Sequence, residues 1–592
     1  MSASVNHPAH RMLHNYRRHG VPVTLADSPW TASELQDSLE RGPHKSAYEY
    51  IEFLREDMAD MVAKGFWVVV TYDSVKHVKG LRLSPIGVVP QRARRPRPIV
   101  DYSFYGVNQA TQPNVPTDAM QFGRALERLL RKVLLASPRH GKVYLMKIDL
   151  ADGFYRVPLS AAGLSQLGVV FPHLPHEQPL VALPIGLPMG WSNSPPGFCT
   201  ATETVADVTS CQLLQGRLAP DHPLESLASS RPPRRQQPTN TRRVEVAQAT
   251  PVPTRPDPHL NPQRRRRLQY VDVYMDDFLG AAQGNKAARN NVRRTTMHAI
   301  DDMFRPTDHL DAPTRKQPIS VKKLSQGDAS WSTQKEVLGW LIDTEAMTLQ
   351  LTPRRQKRLY ELLYKDLPKA RKRITVQDWH KVLGELRSMS LALPGSRGLF
   401  SQLQHALSTA TPDSRIRLTE PIHQVLDNFR ALYTTLQQRP TRIQELVPLT
   451  PTVDGCHDAA GHGAGGVLIP TPQATARQVQ LKTLPSGRHT IVQQRPGPIV
   501  WRMPFPKTVT NSLITFDNPR GSITNTDLEL AGSLLQSEAA VQCFDLRERT
   551  HLQRTDNMGT VPCTGNARGQ PRRSRPHLRY FAIKPSINVS TV

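Results

Sequence analysis

The chain has 592 residues, enough for several domains that each bury a core. Its 76 Lys and Arg residues outnumber its 50 Asp and Glu residues, and the formal net charge of +26 favours a polyanionic partner such as nucleic acid. No apolar run approaches the roughly 20 residues that a membrane span requires, so we expect no membrane partner. The five Cys residues show no paired spacing, which predicts reduced thiols, no zinc site and an intracellular protein, in the cytoplasm or the nucleus.

The first 345 residues predict a flexible start followed by one large, interrupted domain. Residues 1–40 are polar, and apolar side chains then recur at helical spacing from Ser46 to Val62, which predicts an amphipathic helix. A domain over 41–345 would be interrupted at 219–267 by a segment rich in Pro, Ser, Gln and Arg. Such a composition cannot bury enough apolar surface to fold, so we expect a disordered solvent loop. The four Arg residues at its end are either solvated or bound to nucleic-acid phosphates.

Carboxylates stand at the ends of two strand-like runs within this domain. The run VYLMKID ends at Asp149, and the run VDVYMDDFLG contains Asp276 and Asp277. Neighbouring side chains of an extended strand point to opposite faces, so two adjacent Asp residues can serve one site only at a turn. We therefore expect a hairpin tip there, although a plain Asp-Asp turn would fit the same residues. With Asp149 beside the hairpin, the three carboxylates would hold two Mg²⁺ ions, or Mn²⁺ in their place.

Five segments resemble reverse transcriptases of the LTR-retrotransposon kind, in that family's order and over roughly residues 40–430. DLADGF (149–154) resembles the first catalytic motif, and LPMGWSNSPPGF (187–198) the motif that contacts template and dNTP. YMDD (274–277) resembles the family's signature. RRPRPIVDYSFYGVN (94–108) is similar to the fingers segment, and EVLGWLID (336–343) to the primer-grip hairpin.

The resemblance implies an α+β fold, a right-hand polymerase with fingers and palm over 41–345 and thumb and connection over 346–447. The activity implied is an RNA-directed DNA polymerase that adds dNTPs to a primer 3′-hydroxyl by two-metal phosphoryl transfer. Its partners would be an RNA template, a DNA primer, the RNA–DNA hybrid and dNTPs. Two other interpretations are a catalytically decayed transposon relic that still binds nucleic acid, and a host-type RNA-directed RNA polymerase of the same palm architecture. One thumb helix is predicted over 373–395, with Thr375 as its cap.

The same resemblance assigns roles to individual residues of the polymerase part. Asp149, Asp276 and Asp277 match the metal ligands, whereas Asp272 matches no ligand and is expected to be solvated. Phe154 matches the aromatic gate, whose ring would collide with the 2′-hydroxyl of a ribonucleotide. The remaining assignments concern contacts with nucleotide and template. Arg97 would stack on and pair with the incoming triphosphate, and Lys322 or Lys323 would be the general acid for pyrophosphate. Gly190 and Pro195 would lie against the nascent base pair, and Met189 occupies a position where the family often has Gln.

A second set of motifs, over 448–565, resembles a ribonuclease H domain. VDGCHDAAGHGAGGVLIP (453–470) is similar to its opening strand, with Asp458 at the catalytic position and Asp454 as the competing candidate. Glu529 lies on a helix whose expected cap is Asn525 or Thr526, and Asp556 matches the third motif. Together Asp458, Glu529 and Asp556 would hold two metals for RNA hydrolysis. No acidic residue follows Asp556, so we expect a truncated domain followed by a basic tail over 566–592, and a decayed, inactive fold is the alternative.

Overall fold

The computed structural model describes residues 7–91, 94–115, 120–230, 266–306, 313–393, 396, 399–411, 414–447, 450–472, 474, 480–483, 489–492, 497–546, 549–556 and 588–591. The fold is mixed α/β, with helices and several separate sheets, so the predicted α+β class is confirmed. The chain divides near residue 335 into two compact units. None of the helices in the described ranges is long and apolar enough to cross a membrane.

The first unit contains two sheets and the helices that cover them. Its strands are β1 (Trp67–Thr71), β2 (Leu83–Gln91), β3 (Arg94–Val100), β4 (Tyr144–Asp149), β5 (Gly168–Phe171), β6 (Leu180–Pro184), β7 (Gln269–Tyr274) and β8 (Asp277–Ala282). Its helices are α1 (His10–His19), α2 (Ala32–Arg41), α3 (Lys45–Glu49), α4 (Ile51–Ala63), α5 (Tyr72–Val75), α6 (Val107–Ala110), α7 (Ala125–Leu135), α8 (Ser194–Leu214), α9 (Glu225–Ala228), α10 (Lys286–Phe304), α11 (Pro313–Lys316) and α12 (Val321–Ser325).

The two sheets of this unit differ in size and in topology. Five strands pair in the order β1-β6-β5-β2-β3, and three antiparallel strands pair in the order β4-β8-β7. Helices α7, α8 and α10 pack against the three-stranded sheet. Its strands bury Leu145, Ile148, Val273 and Phe278, so apolar packing fixes the position of the strand ends where the Asp residues lie.

The second unit contains the remaining strands and helices. Its strands are β9 (Gln334–Val337), which crosses the division, β10 (Trp340–Asp343), β11 (Thr348–Leu351), β12 (Arg373–Thr375), β13 (Arg415–Arg417), β14 (Thr441–Arg442), β15 (Val453–Ala460), β16 (Gly463–Pro470), β17 (Gln480–Thr483), β18 (His489–Val492), β19 (Ile499–Pro504), β20 (His551–Arg554) and β21 (Asn588–Thr591). Its helices are α13 (Pro353–Tyr360), α14 (Val376–Met389), α15 (Phe400–Ser408), α16 (Glu420–Gln438), α17 (Ile443–Leu446), α18 (Lys507–Thr510) and α19 (Asn525–Cys543). A π-helix over Glu361–Asp366 continues α13.

The largest sheet of the second unit has the strand order β20-β15-β16-β19-β21. Strand β15 pairs parallel to β20 and antiparallel to β16, and α19 packs against β15 and β16. Trp501 on β19 and Phe544 after α19 are buried in the core between helix and sheet. The last strand, β21, pairs residues 588–591 with β19. The rest of the predicted basic tail over 566–592 lies outside the described residues.

Several predicted elements occur in the structure with small shifts. The helix predicted from Ser46 to Val62 is two helices, α3 and α4, which are separated at Tyr50. Helix α14 begins after Thr375, whose Oγ1 accepts a hydrogen bond from the N–H of Asp378 at 3.1 Å, as predicted for the cap. Helix α19 is capped one residue earlier than predicted, by Thr524.

The predicted Pro- and Arg-rich loop begins later than its composition indicated. Residues 219–230 pack into the first unit, where His222 is buried 3.1 Å from Asp301 and Glu225 forms an ion pair with Arg293 at 2.5 Å. Ala228 is fully buried. The prediction of a disordered loop is therefore wrong for 219–230, and for 231–265 it lies outside the described residues.

Candidate active sites

The β7–β8 hairpin brings two adjacent carboxylates to its tip. Tyr274 pairs with Asp277 in the register of the hairpin, so Met275 and Asp276 form a two-residue loop. Met275 adopts a left-handed conformation with φ 57°, and its sulfur lies 3.4 Å from the sulfur of Cys199 on α8. The turn expected from the sequence is therefore present, and the apolar contact of Met275 holds it against α8.

Strand β4 places Asp149 directly opposite this hairpin. Asp149 pairs with Asp277, and the N–H of Leu150 donates to the carbonyl of Asp276 at 3.2 Å. Beyond Asp149 the chain turns through Ala151, whose carbonyl accepts a 2.6 Å hydrogen bond from the buried Arg156. The structure thus gathers the three carboxylates of the first predicted site on one edge of one sheet.

Burial and the repulsion between neighbouring negative charges raise the pKa values of these carboxylates. The pKa of Asp149 rises to about 7, first because the group is buried and then because Asp277 and Asp276 lie beside it. Burial also raises the pKa values of Asp276 and Asp277, and Asp277 adds to the rise at Asp276. Oδ1 of Asp277 is buried without a hydrogen-bond partner in the described structure. An oxygen-rich, unsatisfied cluster of this kind fits divalent cations such as Mg²⁺.

Two charged neighbours of this cluster were missed by the sequence analysis. Lys147 lies on β4 two residues before Asp149, and its Nζ is 3.8 Å from Asp277 Oδ1 and 3.2 Å from Asp328 Oδ2. Burial lowers the pKa of Lys147, but Asp277 and Asp328 raise it overall. The two-residue spacing from Asp149 was the available signal for Lys147, since alternate strand residues share a face. Asp328 is distant in sequence, and no local pattern indicates it.

Of the two candidate general acids, Lys323 has the stronger electrostatic effect on the carboxylates. It is half-buried on the short helix α12 and lowers the pKa values of Asp149, Asp276 and Asp277. The N–H of Ser320, which precedes that helix, donates to the carbonyl of Asp149 at 2.9 Å. Lys322 is exposed. The structure therefore favours Lys323 as the cation of this site.

Phe154 is a half-buried ring near the first site. It stacks on Phe198 of α8 with ring centroids 4.5 Å apart, so α8 fixes the plane of the Phe154 ring. A Cβ on Gly153 would lie 2.7 Å from Phe198, which explains why the residue before the ring has no side chain. The contact also gives Phe154 a packing role that is separate from any role in substrate choice.

Arg97 and Met189 contact each other on the surface of the first unit. Arg97 is exposed on β3, with Nη2 3.3 Å from the sulfur of Met189. Gly190 has φ 105°, and a Cβ there would lie 2.6 Å from the carbonyl oxygen of Val100. The glycine is therefore required by the protein's own backbone, whether or not a base pair approaches it. Pro195 is in the first turn of α8 and is half-buried.

Asn108 anchors the segment that contains Met189 and Gly190, and the sequence analysis did not single it out. Its side-chain amide donates to the carbonyl of Gly190 at 3.0 Å and accepts from the N–H of Ser192 at 2.9 Å. Asn108 is the last residue of the segment that resembles the fingers, so its inclusion there was the available signal. The two motif segments are thereby joined by direct hydrogen bonds.

Asp272 corrects one prediction for this unit. It is 6% exposed rather than solvated, and its carboxylate accepts two 2.7 Å hydrogen bonds from Arg128 as well as one from the hydroxyl of Tyr270. The bonded Asp272 raises the pKa of Arg128. Asp272 therefore has a structural role, separate from the carboxylates at the hairpin tip.

The second predicted site also comes together. One ligand atom each from Asp458, Glu529 and Asp556 lies within 4.8 Å of the other two, and no other group of three His, Cys, Asp or Glu residues in the described ranges reaches this spacing. Asp149, Asp276 and Asp277 do not all lie within this spacing of one another. Glu529 is 3% exposed, and its Oε2 has no hydrogen-bond partner in the described structure. Burial and its hydrogen bond with Asp458 raise the pKa of Glu529.

The competing candidate, Asp454, is engaged elsewhere. Its two oxygens accept hydrogen bonds of 3.1 and 2.7 Å from Arg554, and this contact lowers the pKa of Asp454. His457, beside Asp458, is buried with both ring nitrogens unbonded in the described structure, and burial lowers its pKa. Asp458 is therefore the residue of β15 that joins Glu529 and Asp556, and its cluster fits divalent cations for the same reasons as the first site.

Comparisons with known proteins give a distant structural likeness only. No family model and no curated protein matches the chain. The foamy viral protease-reverse transcriptase dRH in complex with double-stranded DNA is similar, with 13% identity, a TM-score of 0.44, and coverage of 96% of this chain and 73% of that one. The foamy viral protease-reverse transcriptase in complex with double-stranded DNA is also similar, with 14% identity and a TM-score of 0.42. That match covers 97% of this chain and 90% of that one. A likeness at this level carries no functional argument.

Proposed function

We propose that the chain is an RNA-directed DNA polymerase of an LTR-retrotransposon kind, which adds dNTPs to a primer 3′-hydroxyl. The observation that carries the proposal is the pairing of Asp149 with Asp277 at the tip of the YMDD hairpin, where an oxygen of Asp277 is buried and unbonded. Asp149, Asp276 and Asp277 would hold two Mg²⁺ ions. When bound, these ions would activate the 3′-hydroxyl and stabilise the leaving pyrophosphate.

The chain's own residues account for positioning and charge around this reaction. Lys147 offsets part of the negative charge of Asp277 and keeps that carboxylate oriented toward β4. Of the two lysines that match the family's general acid, Lys323 is the one that acts on all three carboxylates, and it would donate the proton to pyrophosphate. Phe154, fixed by Phe198, would exclude a 2′-hydroxyl, and Arg97 would bind the triphosphate.

Primer extension on an RNA template with labelled dNTPs and Mg²⁺ tests the polymerase proposal. The variant Asp276→Asn/Asp277→Asn should lose incorporation by about 100-fold or more while still binding primer–template within a few-fold, because charge rather than shape is removed. Asp73→Asn, an exposed carboxylate of the same unit that pairs with Lys76, is the matched control and should extend normally. If neither wild type nor variant extends but both bind the hybrid, the chain is a nucleic-acid-binding relic instead.

A second activity, hydrolysis of RNA in an RNA–DNA hybrid, is proposed for the cluster of Asp458, Glu529 and Asp556. The specific observation is the convergence of their ligand atoms within 4.8 Å, around a buried and unbonded oxygen of Glu529. Divalent cations held there would activate the water that attacks the RNA phosphate. The carboxylates themselves would bind and orient that pair of ions.

Cleavage of a labelled hybrid measures this second activity separately from extension. Glu529→Gln should abolish cleavage and leave primer extension intact, because it removes one ligand charge and keeps the shape of the side chain. Glu538→Gln, an exposed residue on the same helix, should cleave at the wild-type rate. Cleavage by Glu529→Gln at the wild-type rate would reject this site, and absence of cleavage in the wild type would mean a decayed domain.

A further inference from the structure

Three tyrosine rings, two of them exposed, form a cluster in the second unit outside both carboxylate sites. Tyr360 ends α13, Tyr364 lies in the π-helix that follows, and Tyr433 lies on α16. The rings of Tyr360 and Tyr364 stack with centroids 4.9 Å apart and planes 28° apart, and Tyr433 lies 6.2 Å from each. We call these three residues the tyrosine cluster.

Two rings of the tyrosine cluster are exposed to solvent, and two leucines between them are buried in the protein core. Tyr360 is 44% and Tyr364 38% exposed, whereas Leu362 and Leu363 between them are fully buried. Arg430 of α16 donates to the carbonyl of Leu363 at 3.2 and 3.1 Å, which joins α16 to the π-helix. Exposed apolar residues are ordinary when scattered singly, but a stacked group on a fixed base is not. A π-helix is moreover a rare geometry that often marks a functional site.

Exposed cations flank the tyrosine cluster along the chain. Lys357 precedes Tyr360 by three residues and therefore shares its side of α13. Arg354 lies three residues before Lys357, and Lys365 directly follows Tyr364. All three are exposed and have no ion-pair partner within the described ranges. Other charges nearby are balanced: Arg358 pairs with Glu385 and Asp366, and Lys369 and Arg430 pair with Asp427. Glu361 is the half-buried acid on this turn.

We propose that the tyrosine cluster and its flanking cations bind single-stranded nucleic acid by stacking unpaired bases on the rings. Aromatic rings beside cations that follow a phosphate backbone are the two components of sequence-tolerant single-strand binding. Bases inside a duplex are already stacked on each other and do not offer their faces to a side chain. The cations favour this polyanion over an apolar protein partner. The proposal concerns a binding surface outside both carboxylate sites and does not depend on their chemistry.

Equilibrium binding of a labelled oligo-dT of about 12 nucleotides, without divalent cations or dNTPs, tests the proposal independently of catalysis. Tyr360→Leu/Tyr364→Leu keeps the apolar cover of the core and removes the stacking faces, so it should weaken binding about 5- to 150-fold per stacked base. Tyr360→Phe/Tyr364→Phe keeps the faces and should bind like the wild type. Tyr48→Leu, a 43% exposed tyrosine of the first unit, is the matched control.

Salt dependence separates stacking from charge. The Leu variant should leave the slope of log affinity against log salt unchanged, whereas Lys357→Ala should reduce its magnitude by about 0.7, the contribution of one phosphate contact on a single strand. A hairpin duplex measured in parallel should bind the Leu and Phe variants equally. Unchanged oligo-dT affinity in the Leu variant, or an equal loss on the duplex, would overturn the proposal and leave the cluster as a packing feature or a duplex contact.

Discussion

Asp272 is a buried charge of the first unit that is paired with opposite charge. Its carboxylate is 7% exposed and accepts both guanidinium hydrogen bonds of Arg128, with Tyr270 as a third donor. A carboxylate buried among apolar strands is stable only while these donors remain. Asp272 therefore fixes α7 against β7, and β7 in turn leads to the hairpin tip.

Replacing Arg128 should destabilise the first unit without touching the carboxylates at the tip. Arg128→Met leaves Asp272 buried and unpaired, so we expect a loss of about 2–3 kcal/mol in the free energy of unfolding, below the full cost of a buried pair because Arg128 is partly exposed. Urea unfolding measures this loss. Arg131→Met, an exposed residue on the same helix, should change stability by less than about 0.5 kcal/mol. Equal stability of the two variants would mean that Asp272 needs no partner.

The residue-scale predictions succeeded where a local pattern carries the information. Adjacent Asp276 and Asp277 within an apolar run require a turn, and the hairpin tip is there. The burial of Asp272 could not be predicted, because its partner Arg128 is 144 residues away. Asp328 beside Lys147 was missed for the same reason. When the partners of a side chain are distant in sequence, the residues next to it in the chain do not indicate whether it is buried.

At the scale of elements, the glycine-rich strand β16 shows how close backbone packing positions the second site. A Cβ on Gly466 would lie 2.5 Å from Gln536 Oε1 and 2.7 Å from the carbonyl oxygen of Cys456. Gln536 is fully buried on α19, where it bonds to Trp501 and to the carbonyl of Val467. The strand therefore needs glycine for α19, the helix that carries Glu529, to pack this closely.

Adjacent glycines give a matched test of this packing. Gly466→Ala should cost about 1–3 kcal/mol of stability, the usual cost of overpacking, because the new methyl group meets a backbone oxygen and a buried amide. Gly465→Ala should cost less, since its Cβ would meet nothing nearer than the carbonyl oxygen of Trp501 at 3.3 Å. Urea unfolding followed by tryptophan fluorescence compares the two. A larger loss in the Gly465 variant would contradict the packing described.

Element types were predicted more accurately than element limits. The apolar period placed α14 and its cap at Thr375, since both depend on residues within one turn. The same reasoning missed the break at Tyr50 and placed the cap of α19 one or two residues too late. The composition of 219–230 resembles a loop, yet tertiary contacts of His222 and Glu225 hold this segment against the first unit. Composition describes the average polarity of a stretch of residues. The residue at which the packed structure ends depends instead on individual contacts, such as the ion pair of Glu225 with Arg293.

For the whole molecule, the net charge of +26 is the dominant physical property. Binding to nucleic acid should therefore release counterions and weaken with salt, with a slope near −0.9 for each duplex phosphate contacted. Segment 231–262 contributes six Arg, one Glu and one Asp to this charge. The segment contributes to the affinity for nucleic acid if those Arg residues contact phosphates, and it contributes little if they are solvated.

Replacing 231–262 by a short Gly/Ser linker tests the point on the full chain. We expect primer extension to persist and the salt slope for a primer–template duplex to change by less than about 1, because a solvated segment contributes no phosphate contact. A replacement that starts at 220 should instead lower the melting temperature, since it removes buried His222 and the ion pair of Glu225 with Arg293. A fall of the slope by several units in the shorter replacement would show that the Arg residues bind phosphates, and the segment would then be part of the nucleic-acid interface.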